Sequence, residues 1–192
     1  MQSLMMRSDA AYTLNYLIYI QNAYLNKRES DQDERYRFPY MPSLELAFAE
    51  EFEASFAKVW NEAAARIAEH FLNDLKLFTT HEKFVYERLF AQSEHNLKAY
   101  NDFYLAFRAW WDSYAGRLAL DHTFDAQKIY AALSSVVKAV GSEPVKPFEV
   151  SIVYDAPVLG SEERHSYFAV MTIADGFTRE HELERRIKSW FE

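Results

Sequence analysis

Residues 12–20 read YTLNYLIYI, and two structures fit them. β-Branched and aromatic residues dominate the stretch, and both favour strands. Against that, Ala11, Leu14, Ile18 and Leu25 lie on one helical stripe, with Ser8 ahead of them as a cap. As a strand, this segment would extend a sheet formed elsewhere in the chain. As a helix over residues 9–27, it joins a bundle, and the stripe decides for the helix. Asn15, Gln21 and Asn22 interrupt its apolar character, and Arg7 is the only basic residue before it. It therefore does not read as a targeting segment, and the chain is expected to be soluble and unprocessed. No apolar run approaches the roughly 18 residues that span a bilayer.

Beyond it, NKRESDQDERYRFPYMP (26–42) reads as a charged loop closed by Pro39 and Pro42. Ser43, with Glu45 in the first turn, caps a helix whose stripe is Phe48, Phe52, Phe56, Val59, Ala63, Ile67, Phe71, Leu75 and Phe78. A helix over 43–78 would be about 54 Å long at 1.5 Å per residue. Thr79 and Glu82 stand at capping-box spacing and open a separate helix, 80–115, which Gly116 ends. Two long helices most simply form an antiparallel pair. Their apolar repeats differ, which argues for a globular bundle over a coiled-coil rod.

A further helix is expected over 124–140, capped by Thr123 and ended by Gly141. SEPVKP (142–147) then changes the regime. Phe148, Val150, Ile152 and Tyr154 alternate with Glu149, Ser151 and Asp155, as in a half-buried strand. SYFAVMTIA (166–174) reads as a more buried strand, joined to the first through DAPVLGSEERH as an antiparallel pair. Thr178 caps a last helix with Leu183, Ile187 and Trp190 facing inward. The expected fold is α+β. A bundle of about four helices, two of them long and antiparallel, occupies 1–141. A β-hairpin and terminal helix over 142–192 pack on it as one domain. Two strands alone are marginal, so an edge should pair with the N-terminal segment or with a second copy of the chain.

Composition narrows the function. The 192 residues include 17% aromatics but only four glycines and five prolines, which favours long helices. Net charge is −8 and no block of Lys or Arg stands out, which argues against nucleic-acid binding. The absence of cysteine excludes disulfides, thiolate metal sites and Cys nucleophiles, and fits the cytoplasm.

Candidate chemistry is sparse. HEKFV at 81 has Val85 where H-E-x-x-H needs its second His. Glu162 and His165 have di-iron spacing but lie in the expected hairpin loop. His70 and Asp74 are one helical turn apart and supply half a metal site at most. His81 and His95 share a face but stand about 21 Å apart along a helix. Asp155 and His165 would pair across the hairpin mouth, while Ser166 points to the other face. Glycines 116, 141, 160 and 176 form no phosphate-binding fingerprint. No catalytic residue, metal site or cofactor is assigned.

The remaining signal is a seam. Tyr86, Phe90, Ser93, Leu97, Tyr100, Tyr104, Phe107, Trp111 and Tyr114 follow at steps of four and three. Phenols demand hydrogen-bond partners that Leu or Ile would not. Tyr and Trp suit surfaces with one wet edge. Tyr100, Tyr104, Trp110, Trp111 and Tyr114 are therefore the candidate partner- or ligand-binding residues. The expected function is non-enzymatic, in the cytoplasm, through binding a protein partner or a second copy. The alternative is a small-molecule-binding protein or enzyme with an aromatic-lined pocket along helix 80–115.

Overall fold

The computed structural model describes residues 4–28, 37–41, 43–141, 145–160, 165–178 and 180–188. The ambiguous segment is a helix, α1 (Tyr12–Arg28). Every residue from Thr13 to Ala23 is buried, so its apolar character is not confined to one stripe. A helix apolar all round belongs inside a fold rather than on it. Tyr16 is 1% exposed, and Leu14, Leu17, Ile18 and Ile20 are 0% exposed.

Among the described residues the sheet has three strands, β1 (Met6–Asp9), β2 (Phe148–Val153) and β3 (Phe168–Thr172), in the order β1-β2-β3. Both pairings are parallel. The expected hairpin is thus corrected: its two strands are neighbours but run in the same direction. Parallel neighbours need a dozen or more residues to return the chain, and residues 154–167 suffice. Buried amides of α1 pin the strand exit and the start of this connection. Asn15 Nδ2 donates to Ile152 O at 2.8 Å, and Asn15 Oδ1 accepts from Tyr154 N at 3.1 Å. Gln21 donates to Ala156 O and accepts from Leu159 N, both at 2.9 Å. Asn22 donates to Asp155 Oδ2 at 2.9 Å. The N-terminal segment supplies the third strand as well as the helix, because Met6–Asp9 lies beside Phe148–Ser151.

Ser8 sits in β1 and does not cap α1. Asp74 does so from a distant element: its two carboxylate oxygens accept from Tyr12 N at 2.7 Å and Thr13 N at 2.9 Å. Burial lifts the Asp74 pKa above the usual carboxylate range. The amide donors pull it back, and neighbouring Asp9 raises it further.

The two expected long helices are each broken. α2 (Phe52–Glu69) ends at extended His70, and α3 (Asn73–Thr79) follows. Ser43 caps nothing here, because the chain from 44 to 50 is not helical. Thr79 and Thr80 donate to the Lys76 carbonyl at the end of α3 in place of forming a capping box. The next segment winds as a π-helical turn, Glu82–Tyr86, and the short α4 (Glu87–Leu89). Phe90 is then extended and bridges to Phe48 in antiparallel fashion. Asn96, 3% exposed, holds that bridge by donating to Ala47 O and Ala91 O and accepting from Ala47 N.

Only then does α5 (Glu94–Trp111) begin, with Ser93 accepting from Asn96 N as its N-cap. α5 stops five residues before Gly116. A Cβ at Gly116 would lie 2.3 Å from the Trp110 carbonyl oxygen, so only glycine lets the chain fold back this tightly. α6 (Ala119–Thr123) and α7 (Ala126–Val140) follow. Asp125, two residues beyond the expected Thr123, caps α7, and Gly141 closes it at φ 68°.

Thr172 and Asp175 form a capping box for the four-residue α8 (Ile173–Gly176), which shortens the expected second strand. In α9 (Glu180–Lys188), Leu183 and Ile187 are buried as expected. Trp190, Pro42, the loop residues 29–36 and residues 142–144 lie outside the described residues. The architecture is α+β, and one apolar cluster runs from Ala10 to Ile187. No helix among the described residues is long and apolar enough to cross a membrane.

Two predictions test this framework. Asn15→Leu keeps the apolar bulk but strands Tyr154 N–H and Ile152 C=O. It should cost roughly 2–4 kcal/mol in chemical denaturation, as buried unpaired groups do. For Asp74, a folded pKa above the unfolded one contributes stability that is full below the ordinary carboxylate pKa and lost as pH rises through the folded value. Relative to Asp74→Asn, the wild type should lose stability as pH rises above the ordinary carboxylate pKa of about 4. The opposite trend would mean that the amide donors outweigh burial.

Candidate functional site

α5 turns Asn96, Tyr100, Phe103, Phe107 and Trp111 inward. They meet the tyrosines of α1. Tyr16 lies against Phe103, Tyr104 and Phe107 with ring centroids 4.8–6.5 Å apart. Tyr19 lies 5.0 Å from Phe103 and 5.2 Å from Phe107. Tyr12 stands edge-on to Phe107 and Trp111. These are ring-to-ring contacts of ordinary aromatic packing.

The five candidate residues fall in different places. Tyr100 is fully buried, at 0% exposure, against Tyr86 and Phe90. Trp111 is buried beside Phe107 and Tyr12. Tyr104 is half-buried; its hydroxyl accepts from Tyr12 at 3.0 Å and its ring stacks on His81 at 4.2 Å. Trp110 is half-buried at the edge of the same cluster, in contact with Phe107 and Trp111. Tyr114 is 87% exposed, beyond the end of the helix. Two of the five therefore face the chain's own interior and two stand at its margin.

The group around Trp110 forms a platform. Phe38 lies 5.0 Å from it, Tyr154 also 5.0 Å, and Tyr19 stacks beneath at 6.2 Å. Phe38 is 46% exposed. Its carbonyl accepts from Tyr154 Oη at 3.0 Å and from Asn22 Nδ2 at 2.9 Å, which fixes the ring's backbone. Arg37 and Asp155 pair at 3.5 Å beside it. Sequence reasoning missed Phe38 and Tyr154 because neither shares an element with Trp110. Only the path of the 154–160 connection over α1 brings them together.

Elsewhere the polar chemistry is dispersed. Asp155 follows β2 and His165 precedes β3, so parallel pairing puts them at opposite ends of the sheet, about 17 Å of strand apart. Their expected meeting across a hairpin mouth is thereby corrected. Asp155 is held by Asn22 and by Ala156 N, and the His165 ring lies against Phe168. Glu162 lies outside the described residues. His70 Nδ1 accepts from Leu72 N, while Asp74 is committed to α1. His81 stacks in the aromatic group, and exposed His95 lies 3.8 Å from Glu45. Among the described residues no group of three or more His, Asp or Glu is placed to hold a metal ion. A small cleft between the sheet and the α2–α3 corner is lined by Arg7, Asp9, Asp74, Glu149 and Ser151. Its volume of about 30 Å³ suits a single water molecule.

The buried phenols are neutral groups. Burial, above all, pushes Tyr12, Tyr16, Tyr19, Tyr100 and Tyr154 above the normal phenol pKa. They offer ring faces and O–H donors, not phenolate. No protein family, curated protein or solved structure matches the chain.

Two buried hydroxyls have no hydrogen-bond partner among the described residues, those of Tyr16 and Tyr100. They are near neighbours, close enough for Tyr100 to add to the effect of burial in opposing ionisation of Tyr16. The oxygens are nonetheless not in hydrogen-bonding geometry. Removing a buried, unpaired hydroxyl relieves its desolvation cost. Tyr16→Phe and Tyr100→Phe should each leave stability unchanged or raise it by about 1 kcal/mol. Tyr104→Phe breaks a formed bond and should lower stability by about as much. Thermal melts of the three variants separate the cases.

Proposed function

We propose that the protein acts in the cytoplasm by binding another protein through the platform of Phe38, Trp110 and Tyr154. The carrying observation is that Phe38, nearly half exposed, is held rigidly in place. Two hydrogen bonds fix its backbone, and Trp110 and Tyr154 pack against its ring. Aromatic anchors ringed by polar groups are where binding energy concentrates at protein interfaces. A rigid anchor also loses little conformational freedom on binding. Arg37 and Asp155 supply the polar rim. The lack of cysteine agrees with a reducing compartment. A ligand pocket along residues 80–115 has less support, because the seam's rings lie in direct contact with those of α1.

A photo-crosslinking phenylalanine analogue at position 38 tests this in cells of the source organism. It should capture a discrete protein that the same group at Leu105, which is 61% exposed on another face of α5, does not. With that protein purified, Trp110→Ala should weaken binding at least about tenfold while the fold, checked by circular dichroism, persists. Equal capture at both positions, or unchanged affinity, would refute the reading.

A further inference from the structure

Among the described residues β1 is an outer strand of the sheet, and its ladder has a definite orientation. Phe148 N donates to Met5 O at 2.8 Å, and Met6 is in register with Phe148. In a parallel ladder this alternation turns the N–H and C=O of residues 5, 7 and 9 toward β2. Those of Met6 and Ser8 point the other way, toward the open edge; Ala10, beyond the end of β1, is buried. An open edge is a template for a further strand, and proteins often blunt it with charged side chains, Lys above all. This edge carries one charge of each sign, Arg7 and Asp9, two residues apart and so on one face of the sheet. Their side chains are 50% and 58% exposed.

We propose that β1 pairs with β1 of a second copy, antiparallel about a two-fold axis through Ser8 and normal to the sheet. Ser8 then exchanges both backbone hydrogen bonds with its counterpart, using the groups that face outward. Arg7 of each chain stands opposite Asp9 of the other. That is a non-hydrogen-bonded pair, the kind in which side chains approach most closely. A shift of the axis to Arg7 would oppose two arginines, and a shift to Asp9 two aspartates, so charge selects this register. Within one chain, Arg7 pairs with Glu149 at 3.5 Å and Asp9 with Arg117 at 3.3 Å. Both pairs are long and partly exposed, so they hold the side chains only loosely and leave guanidinium N–H groups for a second carboxylate. Met5 and Phe71, 57% and 37% exposed, flank the axis and add apolar area. The Arg7 guanidinium lies 4.3 Å from the Phe71 ring centroid. The product is a six-stranded sheet, closer to common sheet sizes than three strands. It uses no residue of the Phe38 platform.

Size-exclusion chromatography with light scattering on the full chain tests the assembly. Wild type at micromolar concentration should show twice the 22.6 kDa mass of one chain. Arg7→Asp and Asp9→Arg should each run as monomers, and their equimolar mixture should recover a dimer containing one of each by native mass spectrometry. Ser8→Pro provides an independent variant: it removes an outward N–H while sparing the ladder to β2 and both charges. It should also be monomeric, with a melting transition like wild type. A monomeric wild type, a dimeric Ser8→Pro, or an Arg7→Asp and Asp9→Arg mixture of folded chains that stays monomeric would overturn the proposal. A wild-type β1 that binds only a different protein's strand would overturn it too.

Discussion

The fold depends on three carboxamides buried in one helix. Asn15, Gln21 and Asn22 are each 0% exposed, and an unpaired buried amide costs as much as a large apolar contact contributes. Their partners include backbone groups at the end of β2 and just after it, at Ile152, Tyr154, Ala156 and Leu159, and the Asp155 carboxylate. That requirement carries the chain over α1 as it leaves β2, and the crossover makes β3 parallel. It also explains how so small a parallel sheet is tolerated. Parallel strands need both faces covered, and α1 packs against β2 while its amides satisfy the strand exit. Asn96 repeats the device at the ribbon between Phe48 and Phe90.

Around this frame the aromatic residues divide by depth. Tyr16, Tyr100, Phe103 and Phe107 are interior packing, with exposures of 1%, 0%, 3% and 0%. Their phenols stay protonated because burial opposes charge. Phe38, Trp110 and Tyr154 lie where the same cluster meets solvent. The amides act here as well, since Asn22 binds both the Phe38 carbonyl and Asp155. The constraint that sets the strand direction thus also builds the surface proposed above for partner binding.

Several features were legible locally. Gly141 closes α7 because a left-handed cap needs no Cβ, and α1 is helical despite its strand-forming composition. Thr172 and Asp175, at capping-box spacing inside TIAD, carried a signal for α8 that the apolar run obscured. Ser93 was likewise an N-cap hidden within a heptad register. Other features had no local sign. Asp74 caps a helix 61 residues away in sequence, and no pattern near Ser8 announces that. Of the candidate site, Trp110 was visible from its place beside the seam, whereas Phe38 and Tyr154 were not, because their proximity follows from the crossover.

What the sequence determined alone is coarser: a mainly helical chain with two strands near 148–153 and 168–172, and which side chains are too apolar to remain in water. Those properties depend on neighbours within a few residues, through backbone sterics and the periodicity of burial. The direction of β3, the breaks in both long helices and the partners of Trp110 were decided only in three dimensions. Each turns on a polar group, such as Asn15, Asn96 or Asp74, that must find its complement across the interior. A carboxamide or carboxylate states that demand in the sequence without saying which distant backbone will meet it.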